Sequence, residues 1–160
     1  MSLRATTLVS DNLELRRAGP DDYDGLVALQ RRSYSRNREL LGVEPLPLQA
    51  DYHAVLAAKE VWVAEGRSGL AAALVVEPRD DDLLIESLAV DPAAQNRGYG
   101  RALLRAAVAR AKALGYTSVR LYTGSPLTHL ISWYGRHGFK IERTEAMSDR
   151  SITHMVMTIA

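Results

Sequence analysis

Between Leu83 and Arg101 the chain reads LLIESLAVDPAAQNRGYGR, and two features of this stretch are suited to chemistry. Gln95, Asn96, Arg97, Gly98, Tyr99 and Gly100 form a glycine-rich turn that opens a long helix. Such a turn leaves backbone N–H groups unpaired at the positive end of the helix dipole, where a phosphate or pyrophosphate is favoured. It is not a dinucleotide fingerprint, because GxGxxG is absent, nor a nucleotide-binding GxxxxGK[ST] loop. A turn that is tight only because strand and helix pack closely is the plain alternative. The second feature is Glu86, a carboxylate in the middle of an otherwise apolar strand. Burying it unpaired is costly, so it should face a cleft or a partner; a salt-bridged or solvent-facing strand residue is the competing reading.

The elements that position these residues follow from periodicity and turn chemistry. Leu13 to Arg17 alternates as a strand, and Gly19-Pro20-Asp21-Asp22 supplies a turn and caps for a helix carrying Tyr23, Leu26, Val27, Leu29 and Tyr34. Two prolines in Leu41 to Leu48 predict a loop that is extended or turned and not helical, and a short helix is expected from Gln49 to Lys59. Glu60 to Glu65 and Leu70 to Glu77 read as a hairpin, and Asp80 to Asp82 as a solvated turn before the strand Leu83 to Val90. A helix from Gly100 to Leu114 stops at Gly115, and the strand Thr117 to Thr123 that follows it should lie parallel to Leu83–Val90. Gly124-Ser125-Pro126 starts a further helix through Tyr134, and two strands, from Phe139 and from Ser151 to Ile159, close the chain around a turn at Met147 to Arg150. The sum is a mixed α/β domain over residues 1–160 without repeat or linker.

Composition narrows the function classes. With 47% apolar and 24% charged residues and a formal net charge of +1, nothing calls for a nucleic-acid or membrane partner. There are no cysteines, which removes disulfides, thiolate metal sites and a cysteine nucleophile. His53, His129, His137 and His154 never fall at the i, i+4 spacing of a helical metal site, so no metal is expected. No stretch reads as a signal sequence or as a transmembrane helix, and a cytoplasmic location is the default expectation.

Two motifs carry a family resemblance. Gln95-Asn96-Arg97-Gly98-Tyr99-Gly100 matches the Q/R-x-x-G-x-G/A motif of the GNAT superfamily of N-acetyltransferases, and Tyr134-Gly135-Arg136-His137-Gly138-Phe139 resembles its Tyr-x-x-x-Gly-Phe signature. IESLAVDP before the first motif is similar to the superfamily's central strand. The resemblance spans almost the whole chain and implies a GNAT-like fold: a central mixed, mostly antiparallel sheet of about seven strands flanked by about four helices.

What the resemblance implies is transfer of an acetyl group from acetyl-CoA to a primary amine, of a small molecule or a peptide, in a ternary complex. The pyrophosphate would lie on backbone N–H groups from Arg97 through Gly98, Tyr99, Gly100 and Arg101 to Ala102. The pantetheine arm would pair with Leu88, Ala89 and Val90, with a bulge or splay near Ala89–Asp91. Tyr134 stands where the family donates a proton to the departing thiolate, a role suited to a phenol whose unperturbed pKa is about 10; a core tyrosine is the alternative, and Trp133 is read as packing. Glu86, read as facing opposite to Ile85 and Ser87, is the proposed base for the amine, with His129 as a weaker choice. The acceptor site is expected from Tyr34 to Tyr52, the hairpin before Glu86 and the last two strands. One departure is that Pro126-Leu127-Thr128-His129-Leu130 lacks the family's CoA-contacting asparagine, for which Thr128 or Ser125 would substitute. That gap leaves room for a non-catalytic acyl-CoA-binding or sensing module. Homodimers are frequent in the family, and the strand after Phe139 offers an edge for one.

Overall fold

The computed structural model describes residues 7–11 and 13–159. Among them, β1 (Thr7–Ser10) and β2 (Leu13–Arg17) form an opening hairpin, followed by α1 (Tyr23–Tyr34), α2 (Asn37–Leu41), α3 (Leu46–Gln49) and α4 (Tyr52–Ala58). Then come β3 (Glu60–Gly66), β4 (Gly69–Pro78), β5 (Leu83–Val90), α5 (Tyr99–Ala113), β6 (Ser118–Gly124), α6 (Thr128–Arg136), β7 (Lys140–Ala146) and β8 (Ser151–Thr158). The eight strands make one sheet in the order β1-β2-β3-β4-β5-β6-β8-β7, antiparallel throughout except where β5 meets β6. No helix among the described residues is long and apolar enough to cross a membrane.

Four expectations about elements and turns need correcting, before two that concern β5. The strand β1 was not expected; it is short, and half of it is exposed. The stretch Leu41 to Leu48, expected to be free of helix, contains α3, because Pro47 sits in its first turn, where a missing N–H costs nothing. The expected helix from Gln49 is split, since Ala50 is extended and Asp51 caps α4 by accepting from the N–H groups of His53 and Ala54. Asp82 is not solvated: it is buried and accepts from Arg79 at 2.6 and 2.7 Å and from Arg120 at 2.8 Å.

Two cores sandwich the sheet. On one face Leu103, Leu104, Ala107 and Ala111 of α5 pack with Trp62, Leu74, Leu83 and Ile85. On the other, Leu26 and Leu29 of α1 and Val55 of α4 pack with Val63, Val75 and Ala89. Strand β5 contributes to both because its register with β4 jumps. Val76 pairs with Ile85 and Val75 with Ser87, which leaves Glu86 as an extra residue, a β-bulge. Strict alternation would send residues 83, 85, 87 and 89 to one face. The bulge instead sends Leu83 and Ile85 toward α5 and Ser87 and Ala89 toward α1, so Glu86 does not face simply opposite to both of its neighbours. The irregularity therefore lies at Glu86, earlier than the expected Ala89–Asp91.

Beyond the bulge the sheet forks. β5 pairs with β6 only from Leu83↔Val119 to Ile85↔Leu121, while β6 stays on β8 as far as Gly124↔Ile152. Residues 86–90 thus diverge from β6 and leave a gap in the sheet. At the far edge, β7 is almost wholly exposed and carries Lys140, Glu142, Arg143 and Glu145, charges of the kind that blunt an open edge.

Candidate active site

The fork opens into a cleft of about 890 Å³. Its floor is the first turn of α5. Gly98 is the N-cap with φ 82°, a left-handed conformation that favours glycine, and Asn96 is also left-handed at φ 66°. The first helical bond runs from Ala102 N–H to Gly98 O at 3.0 Å. The N–H groups of Tyr99, Gly100 and Arg101 therefore precede the helix's own ladder at its positive end. Gly100 differs: a Cβ there would stand 3.5 Å from the Trp133 ring, an ordinary van der Waals contact with a side chain that α6 lays against this turn.

One wall is β5, and its backbone groups divide by side. Asp91 N–H donates to Ala71 O at 2.8 Å, and the alternation of the ladder turns Ala89 to β4 as well, leaving Leu88 and Val90 on the open side. Helix α1 reaches those two. Tyr34 Oη donates to Leu88 O at 2.9 Å and accepts from Leu88 N–H at 3.1 Å, and Ser33 Oγ accepts from Val90 N–H at 3.3 Å. Behind them Ser87 Oγ donates to Gln30 Oε1 at 3.2 Å.

The opposite wall is α6. Tyr134 is buried there, edge-on to Trp133 at 5.2 Å and to Phe139 at 5.9 Å between ring centroids. Phe139 N–H returns to Tyr134 O at 3.1 Å through Gly138, whose φ of 102° turns the chain out of the helix. Burial pushes the Tyr134 phenol upward, so it holds its proton at neutral pH.

Glu86 projects from the bulge between these walls, half-buried, with the Lys59 ammonium as its partner; Lys59 also reaches Glu77 at 3.3 Å. Burial raises the Glu86 carboxyl above its ordinary value, the Lys59 ion pair opposes this, and the neighbouring Glu77 adds to it. At the mouth, α2 and α3 form a strap. A Cβ on Gly124 would overlap Leu41 Cδ2, Arg150 Nη1 donates to Glu44 O at 2.9 Å, and Tyr52 Oη donates to Pro47 O at 2.6 Å.

Of the residues singled out in the sequence, Glu86, Leu88, Val90, Gln95, Asn96, Gly98, Tyr99, Gly100, Arg101 and Tyr134 all line this one cleft. Three lie elsewhere. Ala89 is fully buried under α1, Ala102 is buried with its N–H spent on Gly98, and Arg97 is exposed and off the cleft wall. The two hydroxyls proposed for the missing asparagine are not on offer: Ser125 Oγ lies 2.9 Å from both Ser151 Oγ and Thr153 Oγ1, and Thr128 is off the wall. Sequence reasoning misses Ser33, Lys59 and Tyr122, gives Tyr34 only as the start of the acceptor segment and not as a partner of β5, and reads Trp133 as packing only. Tyr34 meets Leu88 across 54 positions and Lys59 meets Glu86 across 27, separations that no local pattern reveals.

Residues 57–141, just over half of the 160, match a domain model described as Acetyltransferase (GNAT) domain, a span that includes Glu86, the glycine turn and Tyr134. An N-acetyltransferase of Bacillus subtilis strain 168, YvbK, itself described as uncharacterised, is 28% identical over 81 residues, 51% of each chain. The match thus spans about half the length of that curated relative. Among solved structures, the PaiA N-acetyltransferase of Thermoplasma acidophilum in complex with coenzyme A superposes with a TM-score of 0.74 over 91% of this chain and 98% of that one, at 18% identity. A GNAT family acetyltransferase of Elizabethkingia anophelis with acetyl-CoA bound gives 0.67 over 93% and 99%, at 20% identity. At these identities the superpositions establish the fold.

Proposed function

Because this chain belongs to the GNAT family of acetyltransferases, we propose that it transfers an acetyl group from acetyl-CoA to a primary amine by direct attack within a ternary complex. What supports this is the fork: it gathers an anion-receptive helix start, a strand edge released from β6, a protonated phenol and a carboxylate into one cleft large enough for a cofactor arm.

In this reading the N–H groups of Tyr99, Gly100 and Arg101 hold the pyrophosphate, with Gly98 letting the backbone approach. The pantetheine arm runs along Leu88 and Val90 toward Glu86. The amine nitrogen bonds to the thioester carbonyl carbon and the carbon–sulfur bond breaks. Glu86 takes the proton the amine loses, directly or through water, and Tyr134 gives one to the leaving thiolate. No acyl group passes through the protein, in keeping with a chain that has no cysteine.

Free thiol is followed as acetyl-CoA is mixed with the protein and a panel of amines, and release that depends on the amine is expected. Tight CoA binding without release for any acceptor establishes a sensor instead. If saturating acetyl-CoA fails to raise the melting temperature, the turn binds nothing and both readings fall. Tyr134→Phe should lower kcat by roughly 10²- to 10⁴-fold with little change in acetyl-CoA affinity; an equal loss in both removes its role as proton donor.

A further inference from the structure

The acceptor end of the cleft is built differently from the cofactor end. With the pyrophosphate on α5 and the arm directed along β5, the amine enters past Glu86, beneath the strap. Tyr34, Leu41, Leu46, Pro47, Tyr122 and Ile152 supply the apolar surface of that end, from α1, the strap, β6 and β8, with Arg150 beside them, its guanidinium held by Asp149 and by Glu44 O of the strap. Charge there is sparse and lopsided. Among the described residues that wall the whole cleft, Glu86 is the only carboxylate, against Arg36, Arg101, Arg136 and Arg150.

Around Glu86 the count is finer. Glu86 and Glu77 share the single Lys59 ammonium, which leaves one negative charge to receive one incoming cation. Tyr122 lines the same cleft and the Glu86 side chain is largely shielded, so the carboxylate sits beside an aromatic ring and not in open water. A second ammonium on the acceptor would meet apolar walls or arginines, an uncompensated cost. A carboxylate on the carbon bearing the amine would be brought against Glu86 itself.

Building on the acetyltransferase reading above, we infer that the acceptor is a small monoamine with an aliphatic or aromatic body, and neither a polyamine nor an α-amino acid. The ammonium is drawn to Glu86, and the body fills the space under Leu41, Leu46 and Ile152. Selectivity then comes from buried apolar surface: each further methylene raises kcat/KM by roughly three- to fourfold until the space is full.

The test measures thiol release at saturating acetyl-CoA with n-propylamine to n-heptylamine, 2-phenylethylamine, spermidine and leucine. We expect kcat/KM to climb along the alkyl series and 2-phenylethylamine to exceed spermidine and leucine by more than tenfold. Placing a carboxylate on the strap, Leu46→Asp, should lower the 2-phenylethylamine to spermidine ratio by more than tenfold. Spermidine or leucine turned over as well as 2-phenylethylamine, or a flat alkyl series, overturns the acceptor assignment and leaves acetyl transfer standing. No release with any of these amines overturns the acceptor assignment, and no release with the wider panel used for the acetyltransferase reading overturns that reading as well.

Discussion

Glu86 stands in the cleft because β5 carries one residue more than β4 can pair. Its carboxyl, raised by burial, must be ionised to accept a proton, so turnover should rise with pH through that raised value and level off above it. Glu86→Gln should cost roughly 10²- to 10⁴-fold in kcat and flatten the acid side of the pH profile. Lys59→Met removes the ion pair that opposes the shift, so the acid limb should move to higher pH. A pH–rate series on the three proteins checks this, and an acid limb that survives in Glu86→Gln assigns the base elsewhere. The chemical oddity of a carboxylate in an apolar strand was visible in the sequence. Its geometry was not, because a bulge is a property of two strands in register and β4 gives no local sign of the mismatch.

At the scale of elements, the N-terminus of α5 rests on two glycines that do different work. Gly98 is left-handed with open space where a Cβ would be, so Gly98→Ala should cost about 1–2 kcal/mol through backbone strain alone. Gly100 lies within the helix, and a Cβ there makes an ordinary contact with Trp133; Gly100→Ala should be neutral or gain up to about 1 kcal/mol. Urea unfolding of the two variants separates them. Regular elements were legible wherever a pattern repeats: the alternation of β3 and β8, the apolar stripe of α5, and the order from β2 onward. The strap was not, because Pro45 and Pro47 argue against helix everywhere except in a first turn, and that exception holds only once the turn exists. Likewise the sequence places Tyr34 on the apolar side of α1 but cannot say that its hydroxyl meets β5.

Across the whole molecule, the hairpin loop after β4 is tied to the C-terminal half of the sheet by charge. Asp82 accepts from Arg79 and Arg120, and Arg120 in turn donates to Glu142 of β7 at 2.9 Å. Arg79, then Arg120, hold the Asp82 carboxyl below its ordinary value against the pull of burial. A depressed carboxylate stabilises the fold above its ordinary value of about 3.9 and loses that contribution as pH falls through the depressed one. Asp82→Asn should therefore cost roughly 1–3 kcal/mol at neutral pH, with the gap to the parent protein closing in acid, as read from thermal unfolding at several pH values. A gap that persists unchanged in acid would mean that packing, and not charge, is what Asp82 supplies.

The fork has a cost that the α1 hydroxyls meet. A strand edge that has left its neighbour presents bare N–H and C=O groups to any other extended chain, the usual seed of strand-to-strand aggregation. Tyr34 and Ser33 cap those groups on Leu88 and Val90 with side-chain hydroxyls, which satisfy the bare N–H and C=O but offer a foreign strand no backbone to continue. The same gap that makes room for a cofactor is in this way kept from recruiting a second protein chain while it waits.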